Sequence, residues 1–413
     1  MNQDNLRRDN LRQLFGLPVI VAALGYFVDI YDLLLFSIVR RNSLIDLGVP
    51  EDQLFSQGEF LLQVQMTGLL VGGFIWGIMG DKRGRLSVLF GSILMYSLAN
   101  IANGFVTSVD QYAILRFIAG IGLAGELGAG VTLVSETLPK HLRGYGTTII
   151  ASVGLMGAVF ANYIASTRPW SQAFFIGGGL GIMLLLARVS VFESGIFLRT
   201  REKEIQRGNF FQLFKTRERF KKFMGCIFIG LPIWFCIGIL ITFSPEFAKE
   251  LGIDGSVSAG NAVMFAYIGL ALGDLISGLS SQLIGSRKRV VALFILLTLI
   301  FIVYYLYQPS NSVQMFYLTC FVLGVGIGYW ALFVTIAAEQ FGTNLRSTVA
   351  TTVPNVIRGT VVPLTLLFKL LREQWGIING ALVVGLATIV IAFIALSAID
   401  ETYGRDMNFE ETD

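Results

Sequence analysis

The sequence is poor in charge. Of its 413 residues only 14% are Asp, Glu, Lys or Arg, against roughly 25% in an ordinary soluble domain. A chain this apolar cannot cover itself with a wet, charged surface, which excludes most soluble enzymes and any disordered scaffold. Histidine is nearly absent: His141 stands alone, too few imidazoles for a triad or a zinc site. The three cysteines, Cys226, Cys236 and Cys320, sit inside apolar runs without metal-site spacing, so no disulfide framework or metal is implied. The net charge of +3 is too small to suggest a nucleic-acid partner. No cofactor motif is present, and no enzyme is expected.

What the chain has instead is hydrophobicity. Apolar residues make up 54% of it and the mean hydropathy is +0.68. Twelve runs reach the ~20 residues that a bilayer-crossing helix needs: 16–39, 58–80, 86–106, 110–136, 146–167, 170–191, 222–244, 258–284, 289–308, 313–338, 347–369 and 376–399. They are too long and too evenly apolar for a β-barrel. Forty-six glycines suit a closely packed membrane bundle. The first 15 residues are polar and carry Arg7, Arg8 and Arg12, so a cleavable signal peptide is not expected.

Lys and Arg set the orientation. With both termini cytoplasmic, twenty-two lie in cytoplasmic segments and six outside: Arg40, Arg41, Arg168, Lys249, Lys369 and Arg372. The segment 192–222 holds nine of them and divides the spans six and six. The expected organisation is a six-helix bundle at 1–191, a cytoplasmic linker at 192–221, and a second six-helix bundle with a cytoplasmic tail at 222–413. Phe210, Phe211, Leu213, Phe214 and Phe220 interleave with the linker's charges, consistent with a short interfacial helix on anionic lipid; a partner-docking segment is the other reading.

The halves repeat. Gly77-x-x-x-Asp81-Lys82-Arg83-Gly84-Arg85 joins spans 2 and 3, and Gly278-x-x-x-Gln282-Leu283-Ile284-Gly285-Ser286-Arg287 joins spans 8 and 9, offset by 201. Glu136 and Arg143 after span 4 are matched by Glu339 and Arg346 after span 10, offset by 203. Parallel six-helix repeats are a recurring transporter design.

These motifs resemble the major facilitator superfamily of transporters. The Gly77–Arg85 loop is similar to its signature between helices 2 and 3, and Arg116-Phe117-x-x-Gly120-x-Gly122 to that of helix 4. Four features resemble the branch of metabolite:proton symporters, sugar porters and organic-ion transporters. They are Gly125-Glu126-x-Gly128 with Glu136-x-x-Pro139-x-x-x-Arg143-Gly144, the acidic Gly25-x-x-x-Asp29-x-Tyr31-Asp32-Leu33, Glu193-Ser194-Gly195-Ile196-Phe197-Leu198, and Glu401-Thr402-Tyr403-Gly404-Arg405. The last two lack the branch's prolines. The helix 5 proline motif of drug:proton antiporters is missing from Gly154-Leu155-Met156-Gly157. The resemblance implies an all-α membrane protein of twelve transmembrane helices in two pseudo-symmetric bundles, commonly working as a monomer. The expected location is the bacterial cytoplasmic (inner) membrane.

A charge at the centre of a span costs roughly 2.5–3.5 kcal/mol, so the few present need a purpose. Asp29 and Asp32 lie three residues apart on one helical face, about 4.5 Å along the axis, and are expected to share a titration. With Glu126 and Arg116 they are the candidate proton-coupling set. The alternative is structural: the acids bonding neighbouring helices, and Arg116 holding helix 4 against helix 1. Arg358 lies in Pro354-Asn355-x-x-Arg358-Gly359-x-x-x-Pro363, where two prolines and a glycine are expected to break span 11. An arginine there suits a bidentate carboxylate contact, and the resemblance to organic-anion carriers points the same way; pairing with Asp274 is the other use. Tyr26, Tyr31, Asn355, Asp274, Tyr329 and Trp330 are candidate lining residues. Asp81, Arg85, Glu136 and Arg143, with Glu339 and Arg346 in the second half, are expected to form the cytoplasmic gate that the resemblance implies. The expected function is proton-coupled uptake of a small organic anion or polar metabolite by alternating access. The alternative is a facilitator or exporter whose helix 1 acids bind a cationic or metal substrate.

Overall fold

The computed structural model describes residues 14–83, 85–125, 143–193 and 213–404. The regular elements among them are helices, apart from one isolated bridge between Asp254 and Ser312. All twelve expected apolar runs coincide with helix where they are described; the fourth is Val109–Leu123, followed by a turn at Ala124 and Gly125, and residues 126–136 lie outside the described residues. Among the described residues eight helical stretches are long and apolar enough to cross a membrane. One of them, Thr348–Ala398, holds both of the last two expected spans.

The repeat seen in the sequence returns as packing. In the first half span 1 packs on 5, 2 on 4, and 3 on 6; in the second half span 7 packs on 11, 8 on 10, and 9 on 12. Between the halves span 2 packs on 11 and span 5 on 8. Lipid-type side chains such as Leu186, Leu279, Leu283 and Ile394 point outward, as expected where the solvent is hydrocarbon rather than water. Most of the expected linker, residues 194–212, lies outside the described residues; of its apolar set Leu213 is buried, while Phe214 and Phe220 are exposed, their rings tilted against each other with centres 6.0 Å apart.

Several helices run past the expected boundaries. Span 1 is Leu17–Asp46, 30 residues, or about 45 Å at 1.5 Å per residue, longer than a hydrocarbon core of ~30 Å. Arg40 and Arg41, expected in a loop, therefore ride on its last turns. Lys369 and Arg372 likewise lie on the helix Val361–Ala398, which turns only at Gly376, where φ is +80°.

Among the described residues three spans are interrupted. Span 7 is Arg217–Ile229, a short piece Leu231–Phe235, a π turn Cys236–Ile241, and Ser244–Glu250. Gly230 ends the first piece and Pro232 has no N–H to continue its ladder. In the π turn the Thr242 N–H and hydroxyl both donate to the Ile237 carbonyl, at 3.2 and 2.8 Å. Span 10 divides into Val313–Gly326 and Trp330–Glu339. Span 11 corrects the expectation of a double-proline break. Pro354 sits inside the helix Thr343–Gly359, and the interruption falls only at Thr360. Arg358 is thereby left in the last turn, where a cation complements the helix dipole.

Glu401, in the motif after span 12, anchors the chain end onto span 9. Its carboxylate accepts from the Ser286 hydroxyl at 2.5 Å and from the Arg287 and Lys288 N–H groups at 3.1 and 3.2 Å, covering the first turn of Arg287–Leu306. Burial pushes its carboxyl up, but the donors from Ser286, Tyr403, Arg287 and Lys288 outweigh this and hold it below the ordinary range. Glu401→Gln should cost about 1 kcal/mol, as for a lost helix cap, read as a lower melting temperature. Because the folded carboxyl is depressed, its contribution is complete above the unfolded value near 4.3 and is lost as pH falls through the folded value. The difference from the parent protein should therefore shrink in acid.

Candidate functional site

The two acids of span 1 are both fully buried but have different neighbours. Asp29 faces the second half, where its Oδ2 lies 3.4 Å from Arg358 Nη2. Asp32 faces into the first half. Its polar neighbours are Arg116 and Asn100, with Asp29 also within electrostatic range. Neither Asp32 oxygen has a hydrogen-bond donor in good geometry among the described residues. The carboxylate packs against Gly177 of span 6, where any Cβ would collide with it. Asp29 thus pairs with Arg358 across the halves, while Asp32 lies within electrostatic range of both Arg116 and Asp29.

Arg116 does not reach across to span 1 by hydrogen bonds. It donates to Asn100 at 2.6 Å and Asn103 at 3.2 Å, both on span 3. Its guanidinium stacks over Phe174 at 4.5 Å. Asn100 and Asn103 escaped the sequence reading because isolated amides in an apolar run carry no local signal. Arg188, the other expected intramembrane arginine, is buried in span 6. Glu126 lies outside the described residues.

Arg358 is the centre of the interface between the halves. It is 1% exposed, its guanidinium lies 5.7 Å from the Trp234 ring, and its Nε and Nη1 have no hydrogen-bond partner among the described residues. Tyr26 is half-buried, in electrostatic range of Arg358, Asp29 and Asp274, and against Trp330. Tyr26 is seated on Gly154 of span 5, where a side chain would strike its ring. Trp330 lies edge-to-face with Trp234, ring centres 6.2 Å apart.

Other expected lining residues serve the scaffold. The Tyr31 hydroxyl donates to the Ala173 carbonyl at 2.8 Å, and that of Tyr329 to Ile229 at 3.0 Å; both rings are fully buried. The Asn355 amide donates to the Ala124 carbonyl at 2.8 Å and pins span 11 to span 4. Asp274 is not the partner of Arg358. It accepts from the Ala331 N–H at 2.9 Å and caps the second piece of span 10.

At the Arg40 end of the bundle the halves are clamped by two arginines expected only among the outer charges, Arg40 and Arg372, and by two glutamates, Glu246 and Glu59. Arg40 Nη2 meets Glu246 Oε1 at 2.5 Å, and Arg372 meets both oxygens of Glu59 at 2.9 and 3.1 Å. The two arginines stack on Phe243 and Phe55, at 4.5 and 3.9 Å, and these rings touch each other with centres 4.9 Å apart. Three further bonds join the halves on this side: Ser37–Thr242, Gln63–Thr365 and Asn162–Asn261.

Of the expected gate at the opposite end, Glu136 lies outside the described residues, and only the helical backbone of Asp81, Arg85 and Arg143 is described. Glu339 pairs with Arg287 at 2.7 Å and lies within electrostatic range of Arg346, whose guanidinium donates to the Ala338 and Phe341 carbonyls. These described contacts lie within the second half.

The family model of the Major Facilitator Superfamily matches residues 23–353. The chain belongs to this superfamily. It is therefore a multi-pass membrane transporter and not an enzyme. A probable 4-methylmuconolactone transporter of Cupriavidus pinatubonensis is 24% identical, the match covering 92% of this chain and 89% of that one. The cis,cis-muconate transport protein of Acinetobacter baylyi is also 24% identical, over 97% and 98% of the two chains. Among solved structures, the proton:xylose symporter XylE bound to 6-bromo-6-deoxy-D-glucose superposes with a TM-score of 0.69 at 15% identity, covering 96% of this chain and 98% of that one. This likeness shows the fold.

Arg372→Met leaves the buried Glu59 carboxylate without its bidentate partner and should cost about 3–5 kcal/mol. Adding Glu59→Gln should recover most of the loss. A double-mutant cycle on melting temperature reads the coupling; additive effects would show that the clamp carries no net interaction.

Proposed function

We propose that the protein imports a small organic anion together with protons, exposing one central site alternately to the two sides of the membrane. The observation that carries this reading is Arg358: a fully buried cation between the halves, facing Asp29 across 3.4 Å, with two guanidinium nitrogens that have no hydrogen-bond partner among the described residues. A buried charge needs a counter-charge. Asp29 supplies one, so the empty pair is neutral, and an incoming carboxylate would make the site net negative. Protonating Asp29 removes that penalty and frees Arg358 for the substrate. At an effective dielectric of ~20, one unit charge at 4 Å is worth about 4 kcal/mol, ample to make proton and anion bind together. Asp32, beside Arg116, is the second proton-carrying site, with Glu126 as its candidate partner on span 4. A cation would instead have to displace Arg358 from Asp29, which disfavours the facilitator or exporter with a cationic or metal substrate.

In this reading the termini and the Glu339 end are cytoplasmic, and the Arg40 end faces outward in the bacterial inner membrane. The paired clamps hold the outer side shut in the state described, and must part before substrate enters from outside. The halves rock about the central site as rigid bodies. Asp81, Arg85, Glu136, Arg143, Glu339 and Arg346 remain the proposed gate on the inner side. The working unit is a monomer in the lipid bilayer, and no cofactor enters the scheme. The two named relatives support an organic substrate, and one of them is a muconate carrier.

The test is uptake by proteoliposomes of labelled benzoate, cis,cis-muconate and lactate, with and without an inward proton gradient. Uptake of at least one should rise with the gradient and collapse with a protonophore. Asp32→Asn should abolish the gradient dependence. Arg358→Gln should reduce uptake tenfold or more, the scale of one charge-assisted contact. Transport indifferent to the gradient would remove proton coupling, and normal uptake by the Arg358 variant would remove the anion site.

A further inference from the structure

Trp234 has a role that its burial alone does not explain. It is 3% exposed, yet its Nε1–H has no hydrogen-bond partner among the described residues. A buried indole N–H normally finds an acceptor, and a buried donor left unmet costs about 1–3 kcal/mol. The same region leaves Arg358 Nε and Nη1 unmet, and the guanidinium lies beside the Trp234 ring. Unpaired buried donors on two neighbouring side chains, the guanidinium carbon 5.7 Å from the indole ring centre, mark a region short of acceptor oxygens among the described residues.

The backbone explains why the indole is there. Trp234 lies in the five-residue piece Leu231–Phe235, between the Gly230–Pro232 interruption and the π turn. Such interruptions recur at functional sites. The neighbouring wall is aromatic: Trp330 edge-to-face with Trp234, Tyr26 against Trp330, and Tyr267 within electrostatic range of Tyr26 and Arg358.

We propose that Trp234 is a specificity-determining residue of the central site, its indole N–H and the Arg358 guanidinium together holding the substrate carboxylate while the rings of Trp234 and Trp330 face its body. This rests on the anion reading above. One carboxylate has two oxygens and about four lone-pair sites, enough to meet the unpaired donors at once. A neutral amide offers a single acceptor oxygen and leaves donors unmet, so it is rejected, because a site built on polar contacts discriminates strongly against a ligand that lacks them. The ring wall adds a preference for a flat, conjugated body over a puckered saturated one of equal size, since aromatic pairs contribute beyond buried area.

The test is direct binding by calorimetry to the purified full chain, at a pH where the ligand carboxyls are ionised, with benzoate, cyclohexanecarboxylate, benzamide and lactate as probes. The parent protein should bind benzoate about tenfold more tightly than cyclohexanecarboxylate, and benzamide not measurably. Trp234→Phe keeps a ring and loses the N–H; it should weaken both carboxylates about tenfold and keep their ratio. Trp234→Leu should also bring that ratio close to one. Trp375→Leu, at an exposed position, should change neither. Melting curves establish that each variant is folded, and Trp234→Phe decides the case if Trp234→Leu is not. Unchanged affinity in Trp234→Phe overturns this role while leaving the anion reading intact. Lactate binding with no binding of either six-membered-ring acid overturns the ring preference. Failure of every carboxylate to bind the parent protein overturns the anion reading itself, and this role with it.

Discussion

The organisation of this transporter depends on how a full positive charge is kept in a dry interior. Arg358 is buried where the two six-helix halves meet, and a lone ion there would cost several kcal/mol even after relaxation. The chain meets that cost with three local devices. The Thr360 interruption places the guanidinium at a helix end of favourable dipole. Asp29 approaches from the opposite half. The Trp234 ring lies alongside as a cation–π partner. The charge is still incompletely met: the ion contact is 3.4 Å long and two nitrogens have no hydrogen-bond partner among the described residues. An incompletely satisfied charge is a poor way to stabilise a fold and a good way to favour a ligand.

The same logic, carried further, separates the roles of the two span 1 acids. Spacing of three residues predicts proximity, and they are close. What spacing cannot predict is which neighbour each will face. A turn of helix wraps far enough that Asp29 looks across the interface while Asp32 looks into its own half, toward Arg116 and Asn100. Both acids ride on span 1, but Asp29 is paired across the interface while Asp32 is turned to partners within its own half. A proton on one is felt by the other through the helix they share.

Much of the architecture was legible in the sequence, because lipid forces apolar residues into runs of countable length. Duplicated motifs revealed the internal repeat, which the matched helix pairings now display. The charges within spans were legible too, since scarcity made them conspicuous. What escaped is whatever depends on partners distant in sequence. Tyr31 and Tyr329 look like lining residues until a carbonyl on another helix is found for each hydroxyl. Asp274 looks like a counter-ion for Arg358 until it is seen capping the interrupted span 10. Trp234 was lost among apolar neighbours because its meaning depends on an arginine 124 positions away. The clamps at the Arg40 end were hidden for the opposite reason: near a span boundary, charges read as solvated.

Those clamps are crossed. The first half supplies Arg40 and Glu59, the second Glu246 and Arg372, so each half presents one positive and one negative member. Drawing the halves apart therefore uncovers no net charge on either lip. Moving one elementary charge through the membrane field costs about 2.3 kcal/mol per 100 mV; parting these pairs moves almost none. Parting these pairs is in this way insulated from the membrane voltage.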